Sequence, residues 1–282
     1  MTALALTFLG LLLIGGAPRV LSGLPALRRS PRPTLMLWQA TAFVGTVCVI
    51  AAGPVAAVSI WPLDRAGVDV AAAYVALAVS GLSLAMVLVN GHLIGSHLRR
   101  ARRTHEELLD LVGDEQSGRL TVLSHPTPTA YCVPGRRRRV VLSTGVLEQL
   151  AEDELAAVLA HERAHLGERH DLLLEYFTVS HRSAPPWLRS RRALREVRLL
   201  IEVLADRAAR GHAGDVPLAR ALVRLSGAHT PQAMMGAADI AHVTARMNLL
   251  AAPPAPRWQV PCVYAATVLV VALPLLTVLL TG

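Results

Sequence analysis

The chain contains no lysine. All 28 basic residues are arginine, and asparagine occurs only at Asn90 and Asn248. Both amino acids have AT-rich codons, so their scarcity reads as the codon usage of a GC-rich bacterial genome. Cysteine is also sparse. Cys48 and Cys262 fall in apolar runs and Cys132 stands alone, so no metal-type spacing exists and no disulfide is expected. Aromatic residues make up only 4% of the chain, and no DNA-reading motif is recognisable. Direct nucleic-acid binding is therefore not expected, despite a net charge of +8. Apolar residues dominate instead. Hydrophobic residues at 53% and a mean hydropathy of +0.44 are high for a soluble domain of 282 residues.

The apolar residues gather in four stretches: Ala3–Ala17, Thr34–Ile60, Val70–Gly95 and Val260–Leu280. The last three are long enough to span a bilayer and the first is marginal. No basic residue precedes Ala3–Ala17, so it reads as an uncleaved anchor, not a signal peptide. Arginines set the orientation. Arg19, Arg28, Arg29 and Arg32 separate the first two stretches, and Arg99, Arg100, Arg102 and Arg103 follow the third. Arg257 precedes the fourth, whereas the turn between the second and third holds only Asp64 and Arg65. The positive-inside rule then places both termini outside and His97–Arg257 in the cytoplasm. The expected layout is three transmembrane helices in 1–96, a cytoplasmic domain in 97–257, and a fourth span in 258–282.

Within the polar region, residues 161–165 read His161-Glu162-Arg163-Ala164-His165. Apolar residues at Leu155, Val158, Leu159 and Leu166 give this stretch the period of a helix. Two histidines four apart share one helix face and are close enough to hold one metal ion, with Glu162 beside them. Three fixed positions match by chance in many proteins, so further ligands matter. Glu202 lies in the apolar run Leu199-Leu200-Ile201-Glu202-Val203-Leu204 on a second expected helix. A carboxylate among such neighbours needs a partner, and a metal supplies one. Asp206, four residues on, suits the acceptor for the free ring N–H of a ligand histidine. The plainer reading pairs Glu202 and Asp206 with Arg198, Arg207 or Arg210 on a solvated face. Two histidines and a glutamate suit Zn2+, one per chain. Such an ion activates water and polarises a carbonyl, with Glu162 as the general base. Tyr131, Arg207, Arg210 and His212 are candidates for a further donor to the oxyanion. His170, His181 and His229 read as surface or structural histidines.

The stretch Tyr131–Asp171, YCVPGRRRRVVLSTGVLEQLAEDELAAVLAHERAHLGERHD, resembles the BlaR/MecR-type integral-membrane metallopeptidases. Glu202-Val203-Leu204-Ala205-Asp206 resembles the second motif of that family, which HtpX-like and prenyl-protease-like enzymes share. The resemblance covers roughly Leu120–Gly227 and rests on two separated motifs in the right order. It implies a multi-pass α-helical membrane protein with a cytoplasmic α+β zincin-like (gluzincin) metallopeptidase domain. His161, His165 and Glu202 would be zinc ligands, Glu162 the base, and Asp206 the residue behind the ligands. It also implies cleavage of a cytoplasmic winged-helix repressor in a cell-wall or antibiotic stress response. The best-known members carry a penicillin-binding sensor after the last span. Here the chain ends at Gly282, so direct β-lactam sensing is not expected. An HtpX-like quality-control protease is the second reading, and a non-catalytic membrane signalling scaffold the third.

Arg119–Ser124 and Arg139–Ser143 read as strands, the latter as an open edge for an extended peptide. Helices are expected at about Glu152–Arg169, Ala193–Arg210, Pro217–Leu225 and Gln232–Leu249. Ser180–Arg192, with Pro185, Pro186 and Trp187, reads as a turn or a membrane-surface segment. Arg136–Arg139 reads as a solvated turn or as a surface drawn to anionic membrane lipid or an acidic protein patch.

Overall fold

The computed structural model describes residues 1–60, 67–116, 119–135, 137–228 and 237–281. Asp64, Arg65, Arg136, His229 and the start of the expected helix Gln232–Leu249 lie outside them. In chain order, α1 (Thr2–Leu11) passes through a π-helical turn into α2 (Ala17–Leu21), followed by α3 (Pro31–Ile60) and α4 (Gly67–Val112). Four strands come next: β1 (Gly113–Gln116), β2 (Leu120–Leu123), β3 (Ala130–Val133) and β4 (Arg139–Ser143). The remaining helices are α5 (Thr144–Gln149), α6 (Glu152–Gly167), α7 (His170–Ser183), α8 (Arg191–Ala213), α9 (Asp215–Ala228), α10 (Ala237–Ala251) and α11 (Gln259–Thr281). The chain divides into two compact units. The first comprises Met1–Ile94, Glu175–Arg198 and Ala255–Gly282, and the second Gly95–Leu174 and Leu199–Pro254.

The first unit is built from apolar helices. Thr2–Leu21, Pro31–Val58, Val70–Val112 and Gln259–Thr281 are each long and apolar enough to cross a membrane. The third helix continues beyond the expected Gly95 without a break. Leu6, Leu13, Val44, Cys48 and Ala52 form a buried seam between α1 and α3. Phe8, Phe43, Leu82 and Leu275 are exposed, as lipid-facing side chains are. Pro54 interrupts the hydrogen-bond ladder of α3. At the residue before it, Ser80 Oγ accepts the Gly53 N–H at 2.9 Å and donates to Val49 O at 2.9 Å. Only glycine admits that approach, because a Cβ at Gly53 would lie 2.6 Å from Ser80 Oγ. The Thr2 hydroxyl donates to Thr281 O at 3.0 Å, so the two chain ends lie side by side.

The second unit carries a mixed sheet in the order β1-β2-β4-β3. β1–β2 and β3–β4 are antiparallel, and β2–β4 is parallel. The expected strands are present as β2 and β4; β1 and β3 were not anticipated. β4 is not an edge. It pairs on both sides and is buried along its whole length, so the expected open edge at Arg139–Ser143 does not exist. The free edge beside α6 belongs to β3. Val140 and Leu142 of β4 pack on Val146, Leu150 and Val158, while Val141 faces Leu109 and Val133.

α6 starts where the Glu154 carboxylate accepts the Ala151 N–H at 3.1 Å, with Glu152 and Asp153 favouring the positive end of the helix. It stops at Gly167, short of the expected Arg169. Arg169 takes a left-handed backbone (φ 53°) and turns the chain into α7, a helix absent from the sequence expectations. α7 ends at Ser183, and the expected turn is confined to the link before α8.

Candidate metal centre

All the residues of the site belong to the second unit. α6 supplies His161, Glu162 and His165, α8 supplies Glu202 and Asp206, and α10 supplies Arg246. Residues four apart on a helix share a face, which aims both histidines of α6 at the facing turn of α8. His161 Nε2 lies 3.1 Å from His165 Nε2 and 3.4 Å from Glu202 Oε2. His165 Nε2 lies 3.7 Å from Glu202 Oε1. One ligand atom from each of the three falls within 4.8 Å of the others. Ligand atoms held tetrahedrally at about 2.0–2.1 Å from one zinc ion lie about 3.3 Å apart. The three observed separations bracket that distance, so the donor set fits a tetrahedral divalent ion with an open fourth position.

The outer nitrogens of the two rings have different partners. His161 Nδ1 lies 3.0 Å from Asp206 Oδ1. His165 Nδ1 lies 2.9 Å from His170 Nδ1. His170 is 2% exposed, and its Nε2 lies 3.7 Å from Glu168 Oε2. It is thus a buried structural histidine behind a ligand candidate and not a surface one. For His165 Nε2 to face a metal as a bare lone pair, Nδ1 must carry the proton and donate it to His170. The left-handed turn at Arg169 puts His170 there, five residues past His165.

The protonation states follow from burial and charge. Burial alone would lower His161, but the contacts with Asp206 and Glu202 outweigh it and push it up to about 9. Burial lowers His165 to about 4, leaving it neutral near pH 7. Glu202 loses solvation too, yet the His161 contact and the charge of Arg246 bring it down to about 2. Burial raises the Glu162 carboxyl above its ordinary value, which suits a proton acceptor. Three carboxylates (Glu162, Glu202, Asp206) face a single guanidinium. Exchanging the His161 proton for a divalent cation brings this set to neutrality, a second reason that the residues fit such an ion.

Two residues of the site were missed in the sequence. Arg246 donates to Asp206 through Nε at 2.8 Å and Nη2 at 2.5 Å, and its Nη1 lies 3.1 Å from Glu202 Oε2. Glu202 and Asp206 therefore pair with Arg246 of α10, and Arg210 pairs with Asp215 at 2.5 Å. Cys132, isolated in the sequence, lines the same cavity as Glu162, and burial and then the Glu162 charge push its thiol up to about 12. Both residues line a cavity of about 640 Å³ together with Glu162, His165 and Leu218. Of the four proposed oxyanion donors only Tyr131 lines it, with its hydroxyl 3.1 Å from His105 Nε2. His212 Nδ1 instead lies 3.0 Å from Ala208 O on its own helix.

Residues 75–184 match the model of Peptidase family M48. The matched segment includes His161, Glu162 and His165 and ends ahead of Glu202. It supports a membrane-associated metallopeptidase, with zinc implied by the family. No solved structure matches the chain.

Proposed function

We propose that this chain is a zinc endopeptidase of the bacterial inner membrane that cleaves a cytoplasmic protein. The convergence of His161, His165 and Glu202 within 4.8 Å, with Glu162 in the same cavity, carries this reading. The substrate proposed is a winged-helix transcriptional repressor in a cell-wall or antibiotic stress response. The resemblance of Tyr131–Asp171 and Glu202–Asp206 to BlaR/MecR-type enzymes supports that choice. The arginines flanking the apolar helices support a cytoplasmic catalytic unit and outward termini.

The residues divide the work as follows. The free edge of β3 takes the substrate as an added strand, leading its backbone past α6. His161, His165 and Glu202 hold the ion. When bound, zinc supplies the Lewis acidity that activates water and polarises the scissile carbonyl. Glu162 accepts the proton of the attacking water and passes it to the departing amine. Leu218 and Leu222 give the cavity an apolar wall and keep bulk water from that proton.

The test is a proteome-wide map of new protein N-termini in cells making wild type or Glu162→Gln. One cytoplasmic repressor losing its cleaved form in the variant is the expected result. Changes in many membrane proteins would favour the quality-control enzyme instead. No change at all under cell-wall stress would overturn the endopeptidase reading.

A further inference from the structure

Arg246 stands out because a cation site is an unfavourable place for a permanent positive charge. Its side chain is 11% exposed, and three of its nitrogens are committed to two carboxylates of α8. Two explanations are open. As a bare charge, Arg246 offsets excess acid and competes with the metal for Glu202. As a fork, it fixes the geometry of Asp206, and the charge is incidental. The contacts favour the fork. Nε and Nη2 grip both oxygens of Asp206, the bidentate arrangement that only a guanidinium makes. Asp206 is 1% exposed, and the grip fixes both of its oxygens in place. Its Oδ1 lies 3.0 Å from the buried His161 Nδ1, so that edge of the ring is turned to Asp206 and Nε2 is turned to His165 and Glu202.

We propose that Arg246 is a positioning residue of the metal site, acting through Asp206 to hold the His161 ring in the orientation that binds the ion. This rests on the metal-site reading above. Its consequence is that α10, outside the matched family segment, completes a site whose ligands all lie on α6 and α8. Arg246 also anchors α10, so loss of the fork loosens the third wall of the cavity, where Val243 and Arg246 lie.

The test is the zinc affinity of the full-length, detergent-purified chain, measured by competition with a chromophoric chelator. Arg246→Ala is expected to weaken zinc binding by about 10–100-fold, the usual effect of losing a residue behind a metal ligand. Arg246→Lys keeps the charge and much of the volume, so it remains folded and serves even if the alanine variant does not. Without the fork it is expected to lose most of the same affinity. In an Asp206→Ala background, Arg246→Ala is expected to add less than about 3-fold, since the two residues act as one unit. Unchanged or tighter binding in Arg246→Ala would overturn the proposal in favour of a competing charge. Wild-type affinity in Arg246→Lys, or independent losses in the double variant, would overturn it as well. Failure of the wild-type chain to bind zinc would instead sink the metal-site reading itself.

Discussion

One buried charged set in each unit sets up a contrast. In the apolar unit, Arg28 meets Glu196 through two contacts at 2.6 and 2.7 Å, one cation against one anion. Nearby, the amide of Gln259 is satisfied by Ala26 O and Ser30 Oγ. In this set one cation meets one anion and the charges balance. In the second unit three carboxylates share one arginine, and two ring nitrogens face each other at 3.1 Å. Three buried carboxylates around one guanidinium leave an excess of negative charge, which a proton on His161 only partly offsets and a divalent cation would complete. A balanced buried pair therefore marks architecture, and an unbalanced convergent set marks a site.

The sharpest way to break this contrast is to disable chemistry without touching the metal ligands. Glu162→Gln is expected to lower peptide hydrolysis by about 10²–10⁴-fold, read as initial rates on a cleaved peptide. Next in size is the closed pair. Arg28→Ala leaves Glu196, 7% exposed, without its cation. Breaking a fully buried pair costs about 3–5 kcal/mol, and the partial exposure of Arg28 reduces this to about 1–3 kcal/mol. A lower melting temperature in detergent, largely recovered in Arg28→Met/Glu196→Leu, would confirm that the pair is architectural. An unchanged melting temperature in Arg28→Ala would remove half of the comparison.

The open set predicts a pH signature of the metal-free protein. His161 is raised to about 9, so its stabilisation is complete below its ordinary value of about 6.5 and is lost as pH climbs through 9. Glu202 is lowered to about 2, so its stabilisation is complete above its ordinary value and is lost as pH falls through 2. His165 is lowered to about 4, so stability is also lost as pH falls from about 6.5 toward 4. Stability of the metal-free chain should therefore be greatest near about pH 6–7, and zinc should flatten the alkaline limb. Near neutral pH, zinc uptake should release about one proton, from His161, because His165 is already neutral. Calorimetry in two buffers of different ionisation enthalpy measures that proton directly, and a release of none would contradict the assigned states. The smallest effect is expected at Arg210, whose pair with Asp215 is half exposed on both sides. Arg210→Ala should change the melting free energy by less than about 1 kcal/mol.

What was legible in the sequence was local. Apolar runs longer than a bilayer needs are visible without any contact, and the third misled only at its end, because α4 stays helical into the polar Arg99–Asp110 segment. His161, Glu162 and His165 are adjacent on one helix, and Glu202 betrayed itself as a carboxylate among leucines. Strand order was not legible, since it depends on pairing between segments. Even so, the unbroken Val140-Val141-Leu142 pattern was a hint of a strand buried on both faces. Arg246 lies 40 residues beyond Asp206 and carried only the faint signal of a lone cation in the Ala241–Leu250 stretch. His170 reads in the sequence as a surface or structural histidine, and only the left-handed turn at Arg169, which local spacing does not announce, decides for the structural one behind His165.

The most direct test of the central claim is the metal content of the purified full-length chain, by elemental mass spectrometry after reconstitution with zinc. Wild type and Glu162→Gln should each hold about one zinc per chain, and His161→Ala and Glu202→Ala should hold essentially none. Equal zinc in all four, or none in the wild type, would contradict the assignment of these side chains to a metal centre.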